Sequence, residues 1–488
     1  MQFDEKGLTI MEEATSEPRP TYISRVKVEG LHGQFDVDMS LGPGLNVIYG
    51  KNGRGKTTML HLLANILELD FQRFRYLQFH RISVWTSSEN LVEIEKEDTQ
   101  TIRISVNGDL TGTAPDAGPV ALSPLELSSL RSVLGGRSTY LPAFRSVLER
   151  KRDGYSYRYA DSRTPEADAM QRVEVIALRD SEVEAANPRQ LHDEAASSVE
   201  KTLLCRQWFG NFVPVIRYPS IADVEDALSE EWRRARIEVT VKEQRMFEET
   251  FVRVFRVSAG LEKSHSEDSN EGILQEISDL LEAQELASGG DGSKEINQDL
   301  LRSAKELGSS PQPSGGINKY LLDIYRKALL ERDRARGEAF KRTKEMESSV
   351  NKFLDKKELS IGRHVSKKGQ VRGLVSVRTA AGHSYGLSAL SSGERQIVTM
   401  LYSASRTKFT SGVFLIDEPE LSLHIDWQRI ILRELTRQAP DRQIIVCTHS
   451  PEVGAEHLFD VQDFEPATSI KRQSSLFDDL ESAAGEED

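Results

Sequence analysis

The densest chemical signal in the chain is the run Gly50, Lys51, Asn52, Gly53, Arg54, Gly55, Lys56, Thr57, followed by Thr58. It matches the pattern GxxxxGK[ST] and stands between the apolar run LNVIY and an amphipathic stretch that begins at Lys56. That is the strand-to-helix setting in which such a loop wraps phosphate. Backbone N–H groups have to close on phosphate oxygens in conformations that a Cβ obstructs, which is why Gly50, Gly53 and Gly55 are needed. Lys56 is then in reach of the β and γ phosphates of a nucleoside triphosphate, and Thr57 offers its hydroxyl to Mg²⁺. A chance glycine turn matching the pattern is expected on the order of 1% of the time in a chain this long, before the flanking strand and helix are required.

Three further clusters fit the same chemistry. VFLIDEPE at 413–420 is an apolar, β-branched run that ends in carboxylates. A buried parallel strand presents such residues at its C-terminal edge, where ligands of open α/β sheets bind. Asp417 is placed to hold Mg²⁺ and Glu418 to polarise an attacking water as general base; read alone, the pair is as well explained by a surface turn. LSSGERQ at 390–396 opens a helix, with Ser391 or Ser392 as N-cap and Gly393 in the first turn. A helix start of this kind is an anion site as well as a cap. THSPEV at 448–453 follows the strand-like QIIVC, so His449 falls at a strand end beside the carboxylates, in reach of a γ phosphate.

Elements must position these groups. The runs ISRVKVEG, FDVDMSL and LNVIYG read as strands leading into the loop, and a helix is predicted over 56–69 from the stripe Met59, Leu60, Leu63, Ile66 and Leu67. RISVW (81–85), LVEIE (91–95) and TIRISV (101–106) predict an antiparallel β flank, so residues 1–147 read as one α/β unit. From 148 to 370 the sequence turns charged and helical, for example Ile273, Ile277, Leu280 and Leu281 in one stripe. Two stretches rich in Gly, Ser and Pro, 289–293 and 308–316, read as linkers within it. Residues 317–357 predict a long helical arm, and strand signals return at VRGLVSVRT before an α/β closing segment.

Composition narrows the classes. Of 488 residues, 38% are hydrophobic and 29% charged, ordinary for a globular chain. The longest apolar runs fall far short of the roughly 18 residues a membrane helix needs, and the acidic N-terminus does not resemble an export signal. Two distant cysteines, Cys205 and Cys447, form neither a disulfide framework nor a zinc pattern, and a cytoplasmic location fits. The net charge of −14 disfavours general attraction to nucleic acid. Segment 341–372 inverts that balance, with ten Lys or Arg against four Asp or Glu, and is the candidate DNA contact if it is not simply a solvated helix face.

In order, GKNGRGKTT, LSSGE, IDEPE, LSLH and THS resemble the motifs of the ATP-binding-cassette (ABC) ATPase head. Within that family the similarity is to the soluble DNA-repair and phage-defence branch, the overcoming-lysogenization-defect and RecF-like ATPases. The resemblance covers 1–147 and 371–488 and implies an α/β head split by the helical insertion 148–370. It implies ATP and Mg²⁺ as cofactors, with Asn52 joining Lys56 and Thr57 in the loop, Asp417 on the metal, Glu418 catalytic and His449 a switch. It also implies that Ser391 and Gly393 complete the site of a second copy in a head-to-head ATP sandwich. Ser392 stands where many members have Gly, and His424 where transporter ATPases usually have Asp. Gln78 is a weak candidate for the Mg²⁺-sensing glutamine, and YLPAFR, with Arg145, resembles a segment of the lysogenization-defect group whose role is open.

Only 39 residues follow His449, too few for the nuclease domain that some of these ATPases carry there. The organisation resembles the ATPase subunits of two-gene anti-phage systems, nearest the PARIS system, in which a separate toxin or nuclease is the effector. A RecF-like ATP-gated DNA clamp is the alternative.

Overall fold

A computed structural model describes residues 21–98, 101–115, 122–145, 148, 165–181, 188–259, 272–273, 275–281, 299, 302, 315–362, 374–405 and 412–468. The expected linkers therefore lie outside the described residues, apart from Gly315 and Gly316, which open a helix; so do Arg363, Lys367 and Lys368 of the basic segment. Contacts divide the chain into one unit of Met1–Tyr218 with Arg406–Asp488 and a second of Pro219–Ser405, boundaries that differ from 147/148 and 370/371.

Two sheets build the first unit. Among the described residues an antiparallel sheet of seven strands runs in the order β15-β2-β1-β4-β5-β6-β7. Its members are β1 (Ile23–Leu31), β2 (Phe35–Ser40), β4 (Arg81–Thr86), β5 (Leu91–Asp98), β6 (Thr101–Val106), β7 (Asp109–Pro115) and β15 (Ala467–Thr468). Alternation holds it: Val26, Val28, Val84, Val92 and Ile94 turn inward while Arg25 and Lys27 lie towards solvent. The other sheet is parallel, in the order β14-β3-β13-β12-β8, with β3 (Leu45–Tyr49), β8 (Thr139–Leu141), β12 (Phe414–Asp417), β13 (Ile444–Thr448) and β14 (Val461–Asp463). Strands β12 and β13 are buried at every position, as continuous apolar runs such as FLI and IIVC require. Gln443, at the mouth of β13, ties the sheets: its amide donates to the carbonyls of Ile23 and Gly42, and its oxygen accepts from the Ile23 N–H.

The described helices of this unit include one at Ile425–Gln438, between β12 and β13, together with α1 (Lys56–Glu68), α2 (Pro124–Leu134), α3 (Pro165–Ser181) and α4 (Pro188–Phe209). The last two join it through buried charge. Arg217, just after α4, makes paired bonds to Glu68 at the end of α1 and to Glu174 of α3, at 2.6–2.9 Å. That network explains why residues 165–218, expected in the insertion, pack with the first unit.

The second unit is led by α5 (Ile221–Ser258) and α6 (Gly315–Ala339), which pack against each other. Ile273, Ile277 and Leu281 pack on Leu322 and Leu329 of α6, as their helical spacing predicts. The long helix expected over 317–357 is interrupted. It breaks at Phe340, which inserts against Ala235, Val239 and Trp232 of α5, and resumes as α7 (Lys341–Asn351). Asn351 then bonds both the N–H and the carbonyl of Leu359, ending the helix and starting β9 (Lys357–Ile361). A three-stranded sheet, β11-β10-β9, includes β10 (Val375–Thr379) and β11 (Ser384–Tyr385), and α8 (Ser392–Ser405) closes the unit.

Candidate functional site

The loop after β3 takes its shape from three glycines. Gly53 and Gly55 lie at φ +78° and +96°, left-handed backbone that side chains rarely adopt, and a Cβ on Gly50 would sit 3.1 Å from the Phe464 carbonyl. Gly55 is also the N-cap of α1, so that helix begins with no side-chain cap and no acid in its first turn. Its leading N–H groups and positive dipole end face the loop, an arrangement that suits an anion. Lys56 is buried, and its ammonium donates to the carbonyls of Gly50 (2.6 Å) and Lys51 (3.0 Å) across the loop. Lys51 and Asn52 are exposed, Arg54 is half-buried, and Thr58 contacts His32 Nε2 at 3.1 Å.

Strand order carries the metal chemistry to this loop. Asp417 is in register with Cys447, which is in register with Ile48, so the ends of β12, β13 and β3 lie level. The Thr57 hydroxyl donates to Asp417 Oδ2 at 2.9 Å across 360 residues of sequence. The Asp417 carboxyl is pushed up to about 7, first by burial and further by Glu418 and Glu420, against the opposing Thr57 hydroxyl and Arg145 charge. A buried acid flanked by acids, together with a hydroxyl, is a hard oxygen set suited to Mg²⁺. The residues present therefore fit a metal-bound polyphosphate. Glu418 follows at φ +47°, a left-handed conformation that costs a non-glycine residue of order 1–3 kcal/mol and persists only where surroundings impose it.

His449 closes the arrangement. Its Nδ1 lies 3.0 Å from Glu420 Oε1 and 3.6 Å from Glu418 Oε1, on a ring partly open to solvent. Glu420 is the residue that sequence reasoning missed. It is 5% exposed, and its Oε1 accepts from the Thr448 hydroxyl (2.6 Å), the His449 N–H (2.9 Å) and the Ser450 N–H (3.2 Å), fixing the turn that presents the histidine. The available signal was a third acid in IDEPE facing a strand end with Thr and Ser. Gln78 is exposed beside Gly33 before β4, and its carbonyl accepts from the N–H of His32 at 2.9 Å. Cys447 is buried with its thiol pushed well up by burial, so it is not a nucleophile.

In the second unit, Ser391 caps α8. Its hydroxyl accepts from the Glu394 N–H (3.3 Å), while Glu394 Oε2 accepts from the Ser391 N–H (2.8 Å), a reciprocal capping box. Lys357 of β9 adds an ion pair to Glu394 at 2.9 Å. Ser391 is exposed and Gly393 buried. Upstream, Glu225 of α5 accepts from the Leu387 N–H at 3.0 Å.

Residues 261–455, less than half of the chain, match a family described as "AAA domain, putative AbiEii toxin, Type IV TA system". The match takes in Ser391, Gly393, Asp417, Glu418 and His449 but not the phosphate loop. No curated protein matches. Solved structures similar to the chain include the Smc head domain with an extended coiled coil bound to the C-terminal domain of ScpA from Pyrococcus furiosus (10% identity, 95% of this chain and 100% of that one, TM-score 0.36). Another is the Smc head domain with a coiled coil and joint from Pyrococcus yayanosii (12% identity, 95% and 100%, TM-score 0.35). The parallel sheet that brings the phosphate loop to IDEPE gives the chain the α/β fold of an ABC-ATPase head. No helix among the described residues is long and apolar enough to cross a membrane.

Proposed function

We propose that the chain binds ATP with Mg²⁺ and hydrolyses it, and that the resulting motion controls a separate effector in bacterial anti-phage defence. The observation that carries the hydrolytic part is the 2.9 Å contact of Thr57 with Asp417, with Glu418 next in sequence and His449 3.6 Å from it. Bound Mg²⁺ would be held by Thr57 and Asp417 and would supply charge neutralisation at the phosphates. Lys56, freed from the loop carbonyls, would bind the β and γ phosphates together with the amides of 53–58. Glu418 would draw the proton of the attacking water, and His449, steadied by Glu420, would contact the γ phosphate. Ser391 and Gly393 of a second copy would complete the site in a head-to-head dimer, the head comprising 1–147 and 371–488.

The defence reading is supported by the toxin–antitoxin description of the matched family and by the phage-defence resemblance of the motifs. In the DNA-clamp alternative the basic segment 341–372 would be the contact; of it, Lys357 is engaged by Glu394. The test is steady-state hydrolysis by the purified chain with Lys56→Ala and Glu418→Gln. The first should lose ATP binding and the second should keep ATP but not turn it over; unchanged hydrolysis in Glu418→Gln would refute the assignment. For the effector, co-purification with the product of a neighbouring gene should occur and should differ between the two variants. Equal retention in both would sink that part.

A further inference from the structure

Three successive carbonyls of the IDEPE turn converge on one side chain. Arg145, just past β8, is fully buried, and its guanidinium donates to the carbonyls of Asp417 (3.1 Å), Glu418 (3.0 Å) and Pro419 (3.1 Å) as well as to that of Pro142 (3.2 Å). We propose that Arg145 is a positioning residue for hydrolysis: it holds the turn in the left-handed bend that aims the Glu418 carboxylate. The inference rests on the ATPase reading above and deepens it.

The geometry argues for this in three steps. Carbonyls of consecutive residues in an extended strand point to opposite sides, so three can meet one guanidinium only if the backbone curls, and the residue that curls is Glu418 at φ +47°. The two nitrogens divide the acceptors: Nη1 takes Asp417 and Pro142, and Nη2 takes Glu418 and Pro419. A planar fork can hold a curled backbone in this way, whereas an ammonium cannot reach the same acceptors from one point. The clamp itself stands on rigid parts. Strand β8 pairs with β12 in register Leu141 to Ile416, and Phe144 stacks on Phe209 at the end of α4, with ring centroids 4.0 Å apart and planes 14° apart. The same turn continues into Glu420, which fixes His449, so one guanidinium sets the approach of both the water-activating acid and the histidine.

A group acting on the turn's shape, with no contact to the nucleotide, should affect turnover and leave binding alone. The experiment measures kcat, KM, affinity for a fluorescent ATP analogue and melting temperature for wild type, Arg145→Lys, Arg145→Met and Glu418→Gln. Displacing a reacting group by about an ångström costs on the order of 100-fold in rate. The expected result is therefore kcat lower by about 100-fold in both Arg145 variants, with KM and analogue affinity within about threefold of wild type. A further variant, Arg145→Ala, leaves space for rescue: added guanidinium should restore part of its rate and none to Glu418→Gln. If Arg145→Met does not fold, Arg145→Lys, which keeps charge and length, decides the matter. A folded Arg145→Lys with wild-type kcat overturns the inference, and so does a loss of analogue affinity in step with kcat. Turnover absent from wild type would overturn the ATPase reading and this inference with it. Turnover lost in Glu418→Gln but kept in the Arg145 variants would overturn this inference alone.

Discussion

Asp417 in the first unit and Glu394 in the second are both acids almost closed to solvent, at 1% and 7% exposure, and both lie beside sequence motifs for phosphate chemistry. Burial pushes each carboxyl up. Around Asp417 that push prevails, because its one hydroxyl donor and the Arg145 charge are set against two acidic neighbours, and the value reaches about 7. Around Glu394 it is reversed: the Lys357 ammonium and the Ser391 cap hold the carboxyl below its usual value. One acid is compensated by its own chain and the other is left for a cation from outside. The same contrast separates two helix starts, since α8 caps itself while α1 begins on Gly55 with nothing but backbone. A motif whose charges are satisfied internally is stable alone; one whose charges are not is built for a ligand.

The sharpest way to break this comparison is to neutralise acids in both units. Glu418→Gln should lower turnover by about 10²–10⁴-fold, the contribution of a general base, with the melting temperature unchanged. A melting shift as large as the one Glu394→Gln produces would show that the first unit's acids are structural after all.

Glu68 takes the compensated case to its limit. Burial would raise its carboxyl, but Arg217, Arg137 and Arg131 bring it down to about 2, below the 4.5 of an unburied glutamate. Its stabilisation is fully present above about pH 4.5 and is lost as pH falls from there towards 2. Glu68→Gln, which leaves Arg217 paired with Glu174 but removes the acid it shares with Arg137, should cost about 1.5–3 kcal/mol and flatten the acid limb of stability against pH. Denaturant melts from pH 2 to 7 test both, and an unchanged acid limb in the variant would refute the account.

What the sequence made legible divides along the same line. The phosphate loop, β1 to β6 and α1 could be read because their signals are local: glycine at fixed offsets, alternation, and a helical stripe from Met59 to Leu67. Glu420 and Arg145 could not be assigned, because their partners lie 28 or more residues away and become neighbours only when β8, β12 and β13 pair. The break at Phe340 was invisible for a related reason. It has no proline, and Gly337 lies three residues early; the cause is a ring wedged against α5, more than a hundred residues upstream. Strand β8 has three residues, too few to show any period.

A smaller effect sharpens the second unit's side. Lys357→Met removes the ion pair of Glu394 but leaves the cap. Partly exposed, this charged bond should be worth about 1 kcal/mol, with Ser391→Ala costing a similar amount through the cap. The two residues share Glu394, so the double variant should cost measurably more or less than the sum of the singles. Strict additivity in denaturant melts would mean that Glu394 does not join them.

The smallest expected effect tests the first unit's acid directly. With its carboxyl at about 7, Asp417 is roughly half protonated at pH 7, and only the ionised form can take a cation. Binding of Mg²⁺ with nucleotide should therefore release about half a proton from this group at pH 7, and affinity should rise about threefold per pH unit there. The slope should approach a full proton below about pH 6 and vanish above about pH 8. Nucleotide phosphates release protons of their own, so the quantity to read is the difference between wild type and Asp417→Asn. Calorimetry at pH 7 in two buffers of unlike ionisation enthalpy measures it. Glu394→Gln should leave that release as in wild type, since an acid held below its usual value is already ionised at neutral pH. Equal release from wild type and Asp417→Asn would mean that Asp417 carries no proton to lose, and the contrast between the two acids would fall.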